Sequence, residues 1–160
     1  MHRLATLLAT ATVALLGGCD NPVGEDRLPP PDPTQVTYAP SLNINLSQFT
    51  RTANGVYVQD QTVGTGATIA NGDSVAVGYT GWLTNGTQFG SNQPSGVPLS
   101  FRVGSNSIIA GFGEGIPGMR VGGTRRIIIP STLAYGRLGN PPDIPSNAVL
   151  VYSIVMSQRF

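Results

Sequence analysis

Lysine is absent from this 160-residue chain; its nine basic residues are all arginines, and eight acidic residues bring the formal charge to +1. Only 11% of residues are charged. No basic stripe exists to neutralise phosphates, so nucleic acid is not expected as a partner. Histidine and cysteine occur once each, as His2 and Cys19. The carboxylates of the chain's main body are Asp60, Asp73, Glu114 and Asp143, far apart in sequence and with no close pair of the kind acid–base catalysis uses. The apolar run "LATLLATATVALL", Leu4 to Leu16, has about a dozen residues where a membrane span needs about 20. The glycines of "GTG" and "GFGEG" lack the strand, full G-x-G-x-x-G and helix that cradle a phosphate, and read as turn glycines. Glycine (21) and proline (13), by contrast, are plentiful. With β-branched residues between them, they predict a strand-rich fold with tight turns, and the length suits one domain plus appendages.

The N-terminus carries a short positive start, "MHR", then the apolar run, then "LLGGCD". Leu16, Gly17 and Gly18 before Cys19 resemble a bacterial lipoprotein signal, in which that cysteine receives lipid and becomes the new N-terminus. The resemblance implies an exported protein with a lipid anchor to the membrane of a bacterial cell envelope. An ordinary secretory signal with a stray cysteine, or an uncleaved anchor, remains open. On the lipoprotein reading His2 is lost and Cys19 is acylated. The mature chain then has no imidazole and no free thiol, which excludes Ser–His–Asp and Cys–His catalysis and any zinc site built on those groups. No metal and no cofactor are implied.

Residues 1–18 are thus expected to be the signal, 19–54 a Pro-rich tether and pre-domain segment, and 55–160 the domain. From Asp20 to about Pro40 the composition is Pro-rich and polar, poor in the apolar surface needed for self-ordering. "SLNINLSQF" alternates Leu42, Ile44 and Leu46, which predicts a short strand laid on the domain. "GVYVQDQTVGTGATIANGDSVAVGYTGWL" reads as a strand, Gly-punctuated turns and a second strand; "PLSFRVG", "RRIIIP" and "AVLVYSIVMSQ" read as further strands, and the Asn85-Gly86 pair suits a hairpin turn. In the last strand Leu150, Tyr152, Ile154 and Met156 share one face. Ile108, Ile109, Phe112, Ile116 and Met119 recur at helical spacing, with Ser107 as candidate N-cap. The expected class is α+β: an antiparallel sheet with one face buried under one short helix.

By composition alone, the aromatic residues are core. Three stretches say more: "VGYTGWLTNGTQF", "PLSFRVGSNSIIAGFGEGIPGMRVGGTRRIIIPSTLAYG" and "IPSNAVLVYSIVM". From about Gly55 to Ser157 these resemble the FK506-binding family of peptidyl-prolyl cis–trans isomerases. The resemblance implies a twisted antiparallel sheet of five to six strands curled over one short helix, with a hollow between them that accepts a prolyl ring. It implies that Tyr79 and Phe89 stand on the pocket wall, Phe112 on its floor, and Ile108 and Ile109 ahead of the helix, where one backbone N–H bonds the ligand. It further implies that Tyr135 offers a hydroxyl to the ligand carbonyl, and that Leu99, Ile144 and Tyr152 complete the wall. The implied partners are proline-containing polypeptides, exported or unfolded, and macrolides of the FK506 and rapamycin class.

This chain departs from the family in three places. Gly90 follows Phe89 where the family has Asp, Asn140 replaces a histidine common in some members, and Phe112 stands where many have Trp. The missing carboxylate keeps open a weakly active or inactive proline-binding chaperone module, and a structural envelope protein that only docks a partner. The hairpin also poses a geometric problem. A strict two-residue turn at Asn85-Gly86 would set Phe89 opposite Trp82, on the face away from Tyr79. If Tyr79 and Phe89 are to share a cavity, the hairpin needs a bulge or a wider loop; the bulge is the expectation here.

Overall fold

The computed structural model describes residues 29–94 and 96–160. Among the described residues seven strands form one antiparallel sheet: β1 (Thr50–Arg51), β2 (Tyr57–Thr62), β3 (Ser74–Leu83), β4 (Gln88–Ser91), β5 (Leu99–Arg102), β6 (Thr124–Ile129) and β7 (Leu150–Arg159). Their order is β1-β2-β6-β7-β3-β4, and β5 pairs with the first half of β3. The α+β expectation holds, with one more strand than the upper count. The two ten-residue strands β3 and β7 lie side by side at the centre.

One helix, α1 (Ala110–Gly115), covers the inner face. Its sequence, "AGFGEG", is half glycine, and each glycine costs a helix about 1 kcal/mol relative to alanine. Tertiary contact must therefore hold it, and the glycines make that contact possible. A Cβ on Gly111 would lie 2.3 Å from Ile129 Cγ2, and one on Gly115 would lie 3.1 Å from Ile127 Cγ2. The helix backbone thus rests directly on β6. Its far end is tied by Arg125, only 7% exposed, which donates to the carbonyls of Gly115 (2.9 Å) and Pro117 (3.0 Å). The same guanidinium binds both oxygens of Asp60, at 2.6 and 3.0 Å. Ser107 does not cap the helix: the N-cap is Ile109, extended at φ −60° and ψ 141°, with no side-chain cap bond. The Ser107 hydroxyl is bonded to that of Ser105 instead.

The outer face is covered as well, by residues 36–49, whose first part, to Pro40, composition marks as a tether. Leu42, Tyr57, Ile128, Val149 and Val151 form a second buried cluster, and Val36, Tyr38, Ile44, Leu46, Phe49 and Trp82 pack against it. Ala39 N–H bonds Thr84 C=O at 2.8 Å, Tyr38 O–H bonds Pro33 C=O at 2.8 Å, and the Arg126 guanidinium donates to Leu42 C=O. Pro40 opens a 3-10 turn over Pro40–Leu42, Asn43 adopts φ 48°, and a second turn follows at Leu46–Gln48. The strand expected through Leu42, Ile44 and Leu46 is therefore replaced by two short turns, which still deliver apolar side chains to the sheet. The signal and Cys19 lie outside the described residues.

Gly111→Ala tests the seating of the helix. Alanine is the better helix former, yet the clash with Ile129 is expected to destabilise the fold by about 1–3 kcal/mol in urea unfolding. A stabilised variant would mean that α1 does not sit at backbone distance on β6.

Candidate active site

The hairpin joining β3 to β4 decides which rings meet. Its loop is three residues, 84–86, closed by Gly86 N–H to Leu83 C=O (3.0 Å) and Leu83 N–H to Thr87 C=O (2.8 Å), with Gly86 at φ +89°. That register pairs Trp82 with Gln88, so Phe89 falls on the side of Gly81 and Tyr79. The register then shifts by one residue, so that Gly81 pairs with Gly90. Both devices considered from the sequence are present: the wider loop turns Phe89 inward, and the bulge turns Gly90 inward beside it. A Cβ on Gly90 would lie 3.9 Å from Tyr79 Cε2 and meet nothing closer. Gly81 leaves the space that the Phe89 ring fills: a Cβ there would lie 2.6 Å from Phe89 Cζ and 2.8 Å from Tyr152 Cε1. Trp82, one residue on, faces outward, 6.0 Å from the Arg126 guanidinium carbon.

Phe112 is the hub of the aromatic set. It is 3% exposed and meets Tyr152 edge-on at 4.8 Å between centroids, Phe101 at 6.2 Å and Tyr79 at 6.4 Å. Phe89 stands edge-on to Tyr152 at 5.5 Å, with the planes at 86°. Edge-to-face pairs of this kind add about 0.5–1.5 kcal/mol each beyond burial and hold the rings at fixed angles. The rings do not close on one another. Between them, α1 and the loop before β7 lies an open cavity of about 270 Å³. Tyr79, Phe89, Leu99, Ile108, Ile109, Phe112, Tyr135, Ile144 and Tyr152 all border it, as do Gly90, Asn140 and Asp143.

The polar side chains of this cavity are the phenols of Tyr79, Tyr135 and Tyr152, with Asn140 and Asp143. Burial, with the neighbouring phenols of Tyr135 and Tyr79, pushes the Tyr152 hydroxyl well above the ordinary phenol range, so it stays protonated. Tyr135, 36% exposed, stands at the rim. Ile109 is extended rather than helical, and its N–H meets no acceptor among the described residues. Asn92, which the sequence reading passed over, supports the wall from behind. Its side chain accepts from Tyr79 N–H at 2.6 Å and donates to the carbonyls of Val77 and Val97, both at 3.1 Å. It fills in for a missing strand residue between β5 and β4 along the edge of β3. Nothing short of the pairing pattern reveals that role.

The site is thus a small, open, ring-walled cavity between an antiparallel sheet and one short helix. Comparison with known proteins makes this specific. Residues 66–157 match the family model "FKBP-type peptidyl-prolyl cis-trans isomerase", and the chain belongs to that family. It is 46% identical over 107 residues to FK506-binding protein 4 of Rhizopus delemar, covering 67% of this chain and 28% of that protein. It is 41% identical over 102 residues to the 46 kDa FK506-binding nuclear protein of Spodoptera frugiperda, covering 64% of this chain and 25% of that protein. The crystal structure of AtFKBP13 superposes with a TM-score of 0.64 at 33% identity, covering 70% of this chain and 98% of that one. The chain spans about a quarter of the length of these two curated relatives.

These relatives correct one expectation. The sequence reading placed the protein in a bacterial envelope as an exported lipoprotein, whereas the curated relatives are eukaryotic and one is named a nuclear protein. That placement rested on one short apolar run and a cysteine, a pattern with little physical specificity, and it does not stand.

Gly81→Ala tests the wall. The added methyl is expected to displace the Phe89 ring from Tyr152, destabilising the fold by about 1–3 kcal/mol and removing the ring-current shifts of Phe89 in NMR spectra. Unchanged shifts and stability would contradict the packing described.

Proposed function

We propose that this domain accelerates cis–trans isomerisation of X–Pro bonds in polypeptides, and so assists the folding of proline-containing clients, through an apolar pocket without covalent or acid–base steps. The observation that carries this reading is the open, ring-walled cavity with an unpaired N–H at Ile109 and a phenol at Tyr135. Rotation about an amide must cross about 18–20 kcal/mol, because resonance is lost in the perpendicular state. That state is less polar than the planar one, so a dry pocket penalises the ground state more. Tyr79, Phe89, Phe112 and Tyr152 exclude water from around the prolyl ring. Leu99, Ile108 and Ile144 complete the apolar wall, and Ile109 N–H and Tyr135 O–H orient the peptide carbonyls. No step requires a nucleophile. A cavity of about 270 Å³, near the lower end of the roughly 300–1,000 Å³ usual for ligand sites, suits one prolyl ring and its neighbours. A macrolide of the FK506 or rapamycin class would insert only in part and compete with the peptide.

In a coupled assay on a short Leu-Pro peptide, the pure protein is expected to accelerate isomerisation, with FK506 inhibiting. Tyr135→Phe, at the exposed rim, should lower kcat/KM about fivefold, the worth of one neutral hydrogen bond. Phe112→Ala should abolish most of the remainder. No acceleration by folded wild-type protein sinks the enzymatic reading.

Gly90 favours a second reading, a proline-binding module with little turnover. A Cβ on Gly90 would come no closer than 3.9 Å to any atom beyond its chain neighbours, so the backbone leaves room for a side chain to start there. A rise in kcat of tenfold or more in Gly90→Asp would mark the natural domain as a binder first; an unchanged rate would mark the carboxylate as dispensable on this scaffold.

A further inference from the structure

The domain's four carboxylates are not treated alike. Asp60 is held by Arg125, Asp73 by Arg159 at 3.0 Å, and Glu114 by Asn54 at 2.6 Å. Asp143 alone makes no ion pair or hydrogen bond among the described residues, and it is the one that borders the cavity. Its position is not accidental drift of a floppy loop. Asn140 N–H bonds Ile144 C=O at 2.8 Å, and Ile144 N–H bonds Asn140 C=O at 3.0 Å, closing a tight turn with Asp143 on it. Ile144, 3% exposed, anchors the turn inward, while Asp143 beside it is exposed. The base of the loop is fastened by Asn147 N–H to Gly136 C=O at 2.9 Å and by the Ser146 hydroxyl to Arg137 C=O. Among the described residues no arginine borders the cavity, and Asp143 is the one charged side chain that does.

We infer that Asp143 is a specificity-determining residue, selecting prolines flanked by lysine or arginine over prolines flanked by aspartate or glutamate. This rests on the cavity being the prolyl site. The carboxylate replaces no family acid in the pocket wall; it acts at the mouth, on the residue beside the proline, by attraction or repulsion of a side-chain charge. Because it is exposed, the preference is modest: about two- to fivefold in each direction relative to a neutral flank, and about fivefold or more for lysine over glutamate. It is also screened, since the range of such a field shrinks from about 10 Å at 0.1 M salt to about 3 Å at 1 M.

The test measures kcat/KM for two peptide series, one varying the residue before proline and one the residue after it, each through lysine, leucine and glutamate. In at least one series the wild-type protein at low salt should prefer lysine to glutamate about fivefold, and the ratio should fall toward one at 1 M NaCl. Asp143→Asn should bring the low-salt ratio to one, and Asp143→Glu should restore it. A flat series in both positions at low salt, with the leucine peptides turned over normally, overturns the proposal and leaves the isomerase reading standing. So does a preference that survives Asp143→Asn. If the leucine peptides are not turned over, the reading of the cavity itself fails, and the charge preference falls with it.

Discussion

The fold turns on how closely a weak helix can approach a sheet. Six residues that are half glycine have no helical stability of their own; they are helical because Gly111 and Gly115 let the backbone rest on Ile129 and Ile127. Arg125 secures the arrangement from below, spending its donors on Asp60 and on carbonyls at the end of the helix. Breaking such a partly buried pair strands both a carboxylate and two carbonyls, which is why the contact is expected to be costly to lose. With its backbone seated on β6, the helix reaches β3 through the Phe112 ring, 6.4 Å from that of Tyr79. The cavity is the space left over.

What keeps that space from collapsing is the geometry of the rings. Phe112 descends from the helix, Tyr79 and Tyr152 rise from adjacent strands, and Phe89 is brought round by the hairpin. Each meets its neighbour edge-on, and edge-on rings brace rather than fill. Glycine is again the enabling residue: Gly81 yields its side-chain volume to Phe89. The outer layer, Val36 to Phe49, stiffens the sheet from behind, where Trp82 and Val151 would otherwise face water. A site that works by shape and dryness needs this rigidity more than it needs reactive groups.

Much of this was legible in the sequence because it is written locally. Alternation in "AVLVYSIVM" put Tyr152 on the face of Ile154, and the structure keeps it there. The family resemblance named nine residues, and the same nine border one cavity. What escaped was non-local. Composition cannot tell a Pro-rich tether from a Pro-rich strap, since the difference is whether Val36 and Tyr38 find the sheet's outer cluster. The Asn85-Gly86 pair announced a turn but not its length, and one residue of difference moves Phe89 between faces. Asn92 reads as an ordinary loop asparagine until its bonds to Tyr79 and Val77 are seen. The N-terminal pattern misled for the converse reason: it is short, and nothing in it depends on the rest of the chain.

The sequence by itself determined the class of fold, the order of its strands along the chain, and a chemistry without imidazole or thiol in the domain, because propensity, alternation and composition are properties of neighbours. Only the tertiary structure decided that Phe89 and Gly90 turn inward, that the helix backbone rests on β6, and that Asp143, at the mouth, is the domain carboxylate without a partner among the described residues. Those outcomes depend on which distant atoms compete for the same space and the same partners. That competition is settled in three dimensions.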